Sequence, residues 1–387
     1  MRVNVACAGR FLSLQLSGQL KRLGCLGRHY TCTPMLPGAV RPGQYGLDRS
    51  DVRTLVGADI FKRVVGRLGR RARVFADQVK TLWFQRWVAR KFEPCDVIHA
   101  WAGSALSVFE REVCGEVVRV LDRSSAHRRI AKRILDEEYQ RCGARYVDRQ
   151  GGMNLELAEY ESADHIVVPS TFVLNSFLEQ GHPREKLSRV SFGSLAVRDG
   201  RPRKPDGAFR VVYVGTLRVH KGVRYFLKAA SLLRGLPDFE VLLVGPPPDK
   251  HTAPYLAKYR EFVRYLGYVP QRKLYEEIYP KASVLVQPSV LEGLSFVLLE
   301  ALAHGVPVIA TDRSGAPDVI TDGEEGFLVP VRDPAAIVEK VLLLYENRGL
   351  LEQMSRKALS KARTQLTWDT YGEQVVGIYR KLLADRQ

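Results

Sequence analysis

The feature that most constrains the fold of this 387-residue chain is a strand, a helix and a second strand that follow one another within residues 282–311. The apolar run "ASVLVQP" is typical of a buried strand, and "VPVIAT" is typical of another. Between them the sequence predicts a helix over residues 296–304, with Ser295 as its N-cap and with Gly305 and Pro307 ending it. This order predicts a parallel sheet covered by helices.

Two carboxylates flank the start of that helix. Glu292 precedes it, and Glu300 lies just over one turn inside it. A helix entered through Gly293, Leu294 and Ser295 presents unpaired amide N–H groups and the positive end of its dipole, which together bind anions such as a diphosphate. Two acceptors beside a phosphate site indicate a polyol next to a diphosphate, as in a nucleotide sugar. On spacing alone, an amphipathic helix whose glutamates face water is an equally good interpretation.

Further βα units surround this one. The strand predicted at residues 209–214 is followed by a turn at Gly215 and by a helix from about Gly222. Lys221 therefore lies where a strand gives way to a helix, a position at which a cation neutralises phosphate. The runs "FEVLLVG" and "EGFLVP" predict more short strands between helical segments. The alternation predicts an α/β, doubly wound parallel sheet that binds ligands at the carboxyl ends of its strands.

Together these motifs resemble the donor domain of a retaining glycosyltransferase of family 4. That family has the GT-B fold, in which two Rossmann-like, doubly wound domains face a cleft. The resemblance rests on Glu292 and Glu300, on the loop with Lys221, and on the runs "LGYVPQRKLYEEIYPKASVLVQPS" and "SGAPDVITDGEEGFLVP". It is specific over residues 209–380 and much weaker before them. It implies that Glu300 holds the ribose hydroxyls, that Glu292 contacts the donor sugar and that Lys221 binds the diphosphate.

One departure from the family affects the phosphate site. The family usually has Arg directly after the glycine that matches Gly215, whereas this chain has Thr216. Arg218 is expected either to replace that arginine at the phosphate or to stay solvated on the loop. The resemblance also implies that the loop "GYVPQ" meets the base. The predicted donor-binding set is therefore Gly215, Thr216, Arg218, Lys221, Val269, Gln271, Glu292, Gly293, Leu294, Ser295, Phe296 and Glu300.

The first half of the chain carries weaker signals for an acceptor site. Gly9 ends the first predicted strand, His99 lies near a strand end, and Gly103 lies at a helix start, so these three are the candidate acceptor-side positions. For His99 a structural role is the stronger interpretation, because a lone histidine near a strand end is usually just hydrogen-bonded.

Two more residues join Glu292 and Lys221 as candidate catalytic groups. Many family-4 enzymes have a histidine after the strand that matches "EVVRV", where this chain reads "VLDRSSAHRR". Asp122 stands near that place and His127 follows five residues later. Asp122 is expected to assist the acceptor hydroxyl or hold a sugar, or alternatively to cap the turn.

Composition shifts along the chain predict its domains. The segment "RDGRPRKPDG" is charged and rich in Gly and Pro, which is typical of a linker. We predict an acceptor-side Rossmann-like domain at residues 1–197, a linker at 198–208 and a donor domain at 209–370. An amphipathic pattern predicts a last helix, and the resemblance implies that residues 371–387 cross back onto the first domain.

The net charge of +17 is unevenly placed, since residues 62–91 hold ten Lys or Arg and one acidic residue, Asp77. Apolar residues recur there at helical spacing, with Trp83 and Trp87 close behind, which predicts one or two basic amphipathic helices. Such a segment is suited to an anionic membrane surface. A surface helix with a solvated basic face is the structural alternative. Nucleic acid is a third option, although no binding motif for it is present.

The remaining composition is that of a globular protein, with 45% hydrophobic and 26% charged residues. No transmembrane run or signal peptide is evident, so a cytoplasmic protein is expected, with possible attachment to the inner membrane face. The six cysteines lack zinc-ligand spacing and are expected to be reduced. Because no D-x-D pair is present, we expect neither a metal requirement nor a cofactor.

These observations predict a glycosyltransferase that moves a sugar from a nucleotide-sugar donor to an acceptor with retention of configuration. The expected partners are that donor and a saccharide or lipid-linked acceptor, as in polysaccharide precursor synthesis. A sugar-nucleotide epimerase or hydrolase of the same architecture is one alternative. A non-catalytic binding protein is the other, although the presence of Glu292, Glu300 and Lys221 argues against it.

Overall fold

The computed structural model describes residues 1–9, 12–34, 41–111, 116–148, 152–194 and 206–386. Within them the chain forms two parallel sheets, one of seven strands and one of six, each packed with helices. The predicted α/β fold with two Rossmann-like sheets is confirmed. Cys114 and most of the predicted linker at 198–208 lie outside the described residues.

The first sheet has the strand order β3-β2-β1-β4-β5-β6-β7 with all neighbours parallel. Strands β1 and β4 are buried along their whole length, because helices cover both faces of the sheet. The strands are β1 (Val3–Cys7), β2 (Leu26–Thr31), β3 (Val52–Thr54), β4 (Val97–Trp101), β5 (Val118–Asp122), β6 (His165–Val168) and β7 (Leu187–Arg189). The helices are α1 (Ser13–Arg22), α2 (Val56–Val65), α3 (Arg70–Lys91), α4 (Leu106–Phe109), α5 (Arg128–Gln140), α6 (Met153–Ser162) and α7 (Thr171–Leu178).

The second sheet has the order β10-β9-β8-β11-β12-β13, again fully parallel. Its strands are β8 (Phe209–Val214), β9 (Phe239–Val244), β10 (Arg264–Gly267), β11 (Val284–Gln287), β12 (Val308–Thr311) and β13 (Gly326–Val329). The helices of this half are α8 (Val223–Leu232), α9 (Ala253–Tyr259), α10 (Gln271–Lys273), α11 (Phe296–Ala303), α12 (Pro334–Glu346) and α13 (Arg348–Thr364). A last helix, α14 (Trp368–Ala384), follows them.

Each sheet reverses its strand order once, between β1 and β4 and between β8 and β11. Loops that leave the two central strands in opposite directions open a crevice at the carboxyl edge, where such folds bind ligands. In the second sheet the two loops touch. Gly222 has a φ of +68°, and a Cβ there would lie 1.8 Å from the carbonyl oxygen of Pro288. Only glycine combines that backbone conformation with so close an approach.

The last helix, α14, lies on the first sheet rather than on the second. It begins at Thr367, whose side chain accepts a hydrogen bond from the amide of Thr370 at 3.1 Å. It packs against α1, where Arg22 bonds to Glu373 at 3.3 Å, and the hydroxyl of Tyr379 reaches the ring of His99 at 2.7 Å. This helix therefore ties the end of the chain to its beginning.

The basic segment predicted at residues 62–91 forms two helices, α2 and α3, which pack together as a hairpin around the turn Gly66–Leu68. Trp87 is partly buried and packs against the core, where its ring meets that of Tyr30 with centroids 5.9 Å apart. Trp83 is instead 45% exposed. No helix within the described residues is both long enough and apolar enough to span a bilayer.

Candidate active site

A cavity of about 1080 Å³ lies in the cleft between the two sheets. The first half contributes the residues after β5 and parts of α5, and the second half contributes the loops after β8, β9 and β11. The two halves meet closely here, since a Cβ on Gly293 would lie 1.8 Å from the carbonyl oxygen of Ser124. Of the predicted site residues, the cavity lining includes Arg218, Glu292 and Gly293.

An ion pair between Lys221 and Glu292 joins the two loops at the β8/β11 crevice. Both side chains are largely buried, with 19% and 21% of their surface exposed. Burial and the neighbouring charge of Arg218 lower the pKa of Lys221 to about 8, and the carboxylate of Glu292 opposes that lowering. The predicted phosphate-binding cation is thus held by the predicted sugar-binding carboxylate.

The amides before α11 are only partly available to an anion. The N–H of Glu292 donates to the carbonyl of Arg313 at 2.9 Å, and that of Ser295 donates to the carbonyl of Ser314 at 3.1 Å. Ser295 stands at the N-cap position, but its side chain makes no capping hydrogen bond. Over the described part of the chain, the amides of Gly293 and Leu294 have no such partner. Fewer amides are therefore available to an anion than the four predicted from Gly293 to Phe296.

Glu300 is buried in α11, where three side chains donate to it. The hydroxyl of Tyr275 lies 2.9 Å from Oε1, the hydroxyl of Tyr279 lies 2.9 Å from Oε2, and Nε2 of Gln271 lies 3.3 Å from Oε1. Burial raises the pKa of the Glu300 carboxyl, while these donors act against it. A carboxylate has about four lone-pair sites, so this network leaves roughly one for another donor. Val269 packs against the neighbouring core.

In the loop after β8, two hydrogen bonds hold the carbonyl of Thr216. The hydroxyl of Tyr213 donates to the carbonyl of Thr216 at 3.1 Å, and the amide of Arg218 donates to the same carbonyl at 2.9 Å. Gly215 adopts a φ of +152° at the end of β8. The side chain of Arg218 is exposed at the cavity and has no ion-pair partner among the residues that the structure describes.

Asp122 ends β5 and is 2% exposed. Its Oδ1 accepts a hydrogen bond from the hydroxyl of Ser124 at 2.8 Å, and its Oδ2 lies 3.5 Å from Nε2 of His99. His99 itself is fully buried under Tyr379 of α14. The returning helix covers His99, and this burial agrees with the structural interpretation of the residue; its acceptor-side role stays a prediction.

His127 does not reach the cleft either. It is the N-cap of α5 and is 1% exposed, with its ring packed against Tyr160, Phe177 and His182. Burial lowers its pKa to about 3, so the ring is neutral at physiological pH. A catalytic role for His127 stays a prediction, and this placement does not support it, because aromatic side chains enclose the ring.

The two glycines predicted on the acceptor side lie after β1 and β4. The carbonyl of Gly9 accepts a hydrogen bond from the hydroxyl of Thr31 at 3.1 Å. The amide of Gly103 donates to the buried carboxylate of Glu159 at 2.6 Å, and Ala105 donates to the same side chain at 2.7 Å. Glu159 thus already occupies the anion position that the loop at Gly103 offers.

Sequence reasoning missed the residues that fasten the two halves together beside the cavity. Glu138 of α5 is fully buried and bonds to Arg224 and Arg332 of the second half, both at 2.7 Å. Sequence reasoning also missed the two tyrosines that donate to Glu300. Their signal was present, because Tyr275 and Tyr279 stand four residues apart, a spacing that places side chains on one helical face.

The second half of the chain is similar in sequence to known glycosyltransferases. Residues 199–361 match the family described as "Glycosyl transferases group 1". A putative glycosyltransferase, EpsD, of Bacillus subtilis (strain 168) is 32% identical over 163 residues, which cover 40% of this chain and 43% of the relative. A D-inositol 3-phosphate glycosyltransferase of Corynebacterium glutamicum (strain R) is 31% identical over 186 residues, covering 45% and 44%. Each match thus spans less than half of the relative's own length.

Solved structures extend the likeness to the whole chain. Sucrose-phosphate synthase from Thermosynechococcus elongatus superimposes with a TM-score of 0.74 at 18% identity, covering 100% of both chains. Anabaena HepE in complex with UDP superimposes with a TM-score of 0.68 at 14% identity, covering 98% of this chain and 100% of that one. The predicted resemblance is confirmed: residues 199–361 match the model of the group 1 glycosyltransferases, and the solved structures share the GT-B fold with this chain.

Proposed function

We propose that this protein transfers a sugar from a nucleotide-sugar donor to an acceptor in the cleft between its two sheets. The observation that carries the proposal is the meeting of Lys221, Glu292 and the amides of Gly293 and Leu294 at the β8/β11 crevice. A cation and free amides suit a diphosphate, and a carboxylate beside them suits sugar hydroxyls. Solved structures of this fold include HepE with UDP and with UDP-glucose, which supports the same class of donor here.

In the proposed reaction, the bond between the anomeric carbon and a diphosphate oxygen breaks, and a bond from that carbon to an acceptor oxygen forms. The acceptor hydroxyl loses its proton to the departing diphosphate or to solvent. Charge on the leaving diphosphate is stabilised by Lys221 and by the exposed Arg218, which takes the place of the arginine missing at Thr216. Retention of configuration is proposed from the family resemblance.

In this scheme, donor binding replaces Glu292 with the diphosphate as the partner of Lys221. When a diphosphate engages the ammonium group, Glu292 is released from its ion pair and becomes available to the sugar hydroxyls. Farther along the donor, Glu300 and Gln271 receive the nucleoside through their shared hydrogen-bond network. Asp122 stays a candidate for contacting the acceptor, although its bond to Ser124 equally serves the turn. The proposed acceptor is a saccharide or a lipid-linked precursor.

The test is to incubate the protein with UDP-, GDP- and ADP-sugars, with and without saccharide or lipid-linked acceptors, and to identify the products by mass spectrometry. Transfer that depends on an acceptor supports the proposal. Donor consumption without an acceptor would instead identify a hydrolase or an epimerase. Nucleotide binding with no turnover of any donor would identify a non-catalytic binding protein.

Metal independence is a separate proposal with its own measurement. Within the described residues, no group of three or more His, Cys, Asp or Glu side chains is arranged to hold a metal ion. We expect activity to be unchanged in excess EDTA, because Lys221 and the loop amides neutralise the diphosphate. Activity lost in EDTA and restored by magnesium would contradict this expectation.

A further inference from the structure

The hairpin of α2 and α3 extends past the carboxyl edge of the first sheet, the edge that faces the cleft. The side-chain amide of Gln85 in α3 donates to the carbonyl of Gly103, just after the carboxyl end of β4, at 3.2 Å. Helix α3 then runs toward the start of β4 at the opposite edge. The ten residues that precede Lys80 in α3 form about 15 Å of helix leading away from this contact.

Helix α2 runs back along this projection. Lys62 pairs with Asp77 at 2.5 Å, and a Cβ on Gly66 would lie 3.7 Å from the side chain of Arg73. We call residues 60–75 the hairpin tip.

The hairpin tip exposes large apolar side chains. Ile60 is 54% exposed, Val64 57%, Leu68 81% and Phe75 57%. Leu82 and Trp83 continue the patch along α3, so six of the twelve large, exposed apolar side chains in the described residues fall within positions 60–83. Exposed apolar residues that are scattered singly are ordinary, whereas a cluster of them marks a surface that binds something.

The charge of the hairpin tip is wholly positive. Residues 60–75 hold six Lys or Arg and no Asp or Glu. The two nearest acidic side chains are already used, because Asp59 pairs with Arg63 and Lys80, and Asp77 pairs with Lys62. In the part of the chain that the structure describes, the exposed guanidinium groups of Arg67, Arg71 and Arg73 have no acidic partner within 4.0 Å.

We propose that the hairpin tip inserts at an anionic lipid surface. Apolar side chains surrounded by unpaired guanidinium groups match the boundary between acyl chains and negatively charged headgroups. A second copy of this chain is a poor partner, because six positive charges would face six others. Nucleic acid would use the arginines but would leave Leu68 and Phe75 in water. Since the tip projects on the cleft side, docking would bring the cavity toward the membrane.

The inference does not depend on sugar transfer, and its test is independent of turnover. The full chain is sedimented with vesicles of phosphatidylcholine alone and with vesicles containing one quarter phosphatidylserine, at low and high salt. We expect binding to the anionic vesicles only, and we expect salt to weaken it.

Two sets of variants separate the contribution of the apolar side chains to vesicle binding from that of the basic side chains. Arg67→Gln, Arg71→Gln and Arg73→Gln together should weaken binding about 100-fold, given roughly one tenfold step for each 1.4 kcal/mol and about 1 kcal/mol for each basic residue. Leu68→Ser with Phe75→Ser should weaken it as well, with circular dichroism to verify folding. Matched controls come from the second half: an exposed triple variant, Arg234→Gln, Arg356→Gln and Arg363→Gln, and an exposed apolar variant, Leu232→Ser.

Several results would overturn the proposal. Equal binding to both vesicle types, or binding to neither, would do so. The same would follow if the control triple weakened binding as much as the tip triple, since that would reveal only the overall charge of the chain. Retention of nucleic acid without retention of anionic vesicles would assign the tip to a different partner. Transfer to a water-soluble acceptor should be unchanged in the tip variants. If the membrane proposal fails in the vesicle test, the proposed function therefore still stands.

Discussion

Glu138→Gln is expected to loosen the two halves of the molecule. Glu138 is fully buried, and its carboxylate accepts from Arg224 and Arg332 at 2.7 Å each and from the hydroxyl of Tyr225 at 2.8 Å. The acid comes from α5 of the first half, and all three donors come from the second half. Arg332 also holds a left-handed backbone conformation with a φ of +67°, which a non-glycine residue keeps only where its surroundings require it.

The size of the effect follows from burial. Removing one partner of a buried ion pair costs about 3–5 kcal/mol, because the remaining charge is left without compensation. Arg224 and Arg332 are only 10% and 17% exposed, so water cannot replace the lost carboxylate. Arg332 keeps a second partner, Glu137, at 3.0 Å, which favours the lower end of that range. We therefore expect the free energy of unfolding to fall by about 3 kcal/mol.

The neighbouring residue supplies a matched control. Glu137 binds the same arginine but its side chain is 45% exposed, so Glu137→Gln should cost at most about 1 kcal/mol. Urea unfolding followed by circular dichroism gives the midpoints, and small-angle X-ray scattering reports separation of the halves as a larger radius of gyration. If Glu138→Gln and Glu137→Gln gave the same midpoint and the same radius, the buried cluster would not hold the halves together.

Three further predictions concern the site and the core. Glu300→Ala should weaken nucleotide binding by about 1.5–3 kcal/mol, as expected for charged hydrogen bonds, and unchanged affinity by calorimetry would remove Glu300 from the site. Lys221→Ala should reduce turnover severely and Arg218→Ala should also reduce it; wild-type turnover in the second variant would show that Arg218 does not replace the missing arginine. Burial lowers the pKa of His127 to about 3 and that of His165 to about 4. Below an unfolded pKa of about 6.5 the unfolded chain binds more protons, so each histidine should cost about 1.4 kcal/mol of stability at pH 5.5 relative to pH 7 and above. A melting temperature that is flat from pH 7 to pH 5.5, or a slope that is no shallower in His165→Gln, would contradict this.

The regular elements were predictable because their signals are local. Residues 209–214 form β8 as predicted, and the helix expected at 296–304 is α11, Phe296–Ala303. Both predictions used only the spacing of apolar residues and the positions of glycine and proline.

Burial by distant elements was not predictable. His99 lies in the middle of β4 and His127 follows β5, and each is enclosed by parts of the chain that are far away in sequence. Tyr379 of α14 covers His99 from 280 positions away, and Phe177 of α7 packs on His127. Spacing within one segment carries no information about such contacts. For His99, the base-rate argument that a lone histidine is usually structural agrees with the structure.

The ion pair between Lys221 and Glu292 shows how much of a site can be predicted from the topology of the fold. Lys221 and Glu292 are 71 positions apart, and nothing in either segment states that they touch. The doubly wound fold does predict that the loops after β8 and β11 share a crevice, because the strand order reverses between these two strands. Topology thus places the two side chains at one edge. That they pair with each other depends on Gly222, whose missing side chain lets the two loops come into contact at Pro288. Gly222→Ala should therefore separate Lys221 from Glu292 while both residues remain in the chain, and it should impair donor binding although neither charged group has been changed.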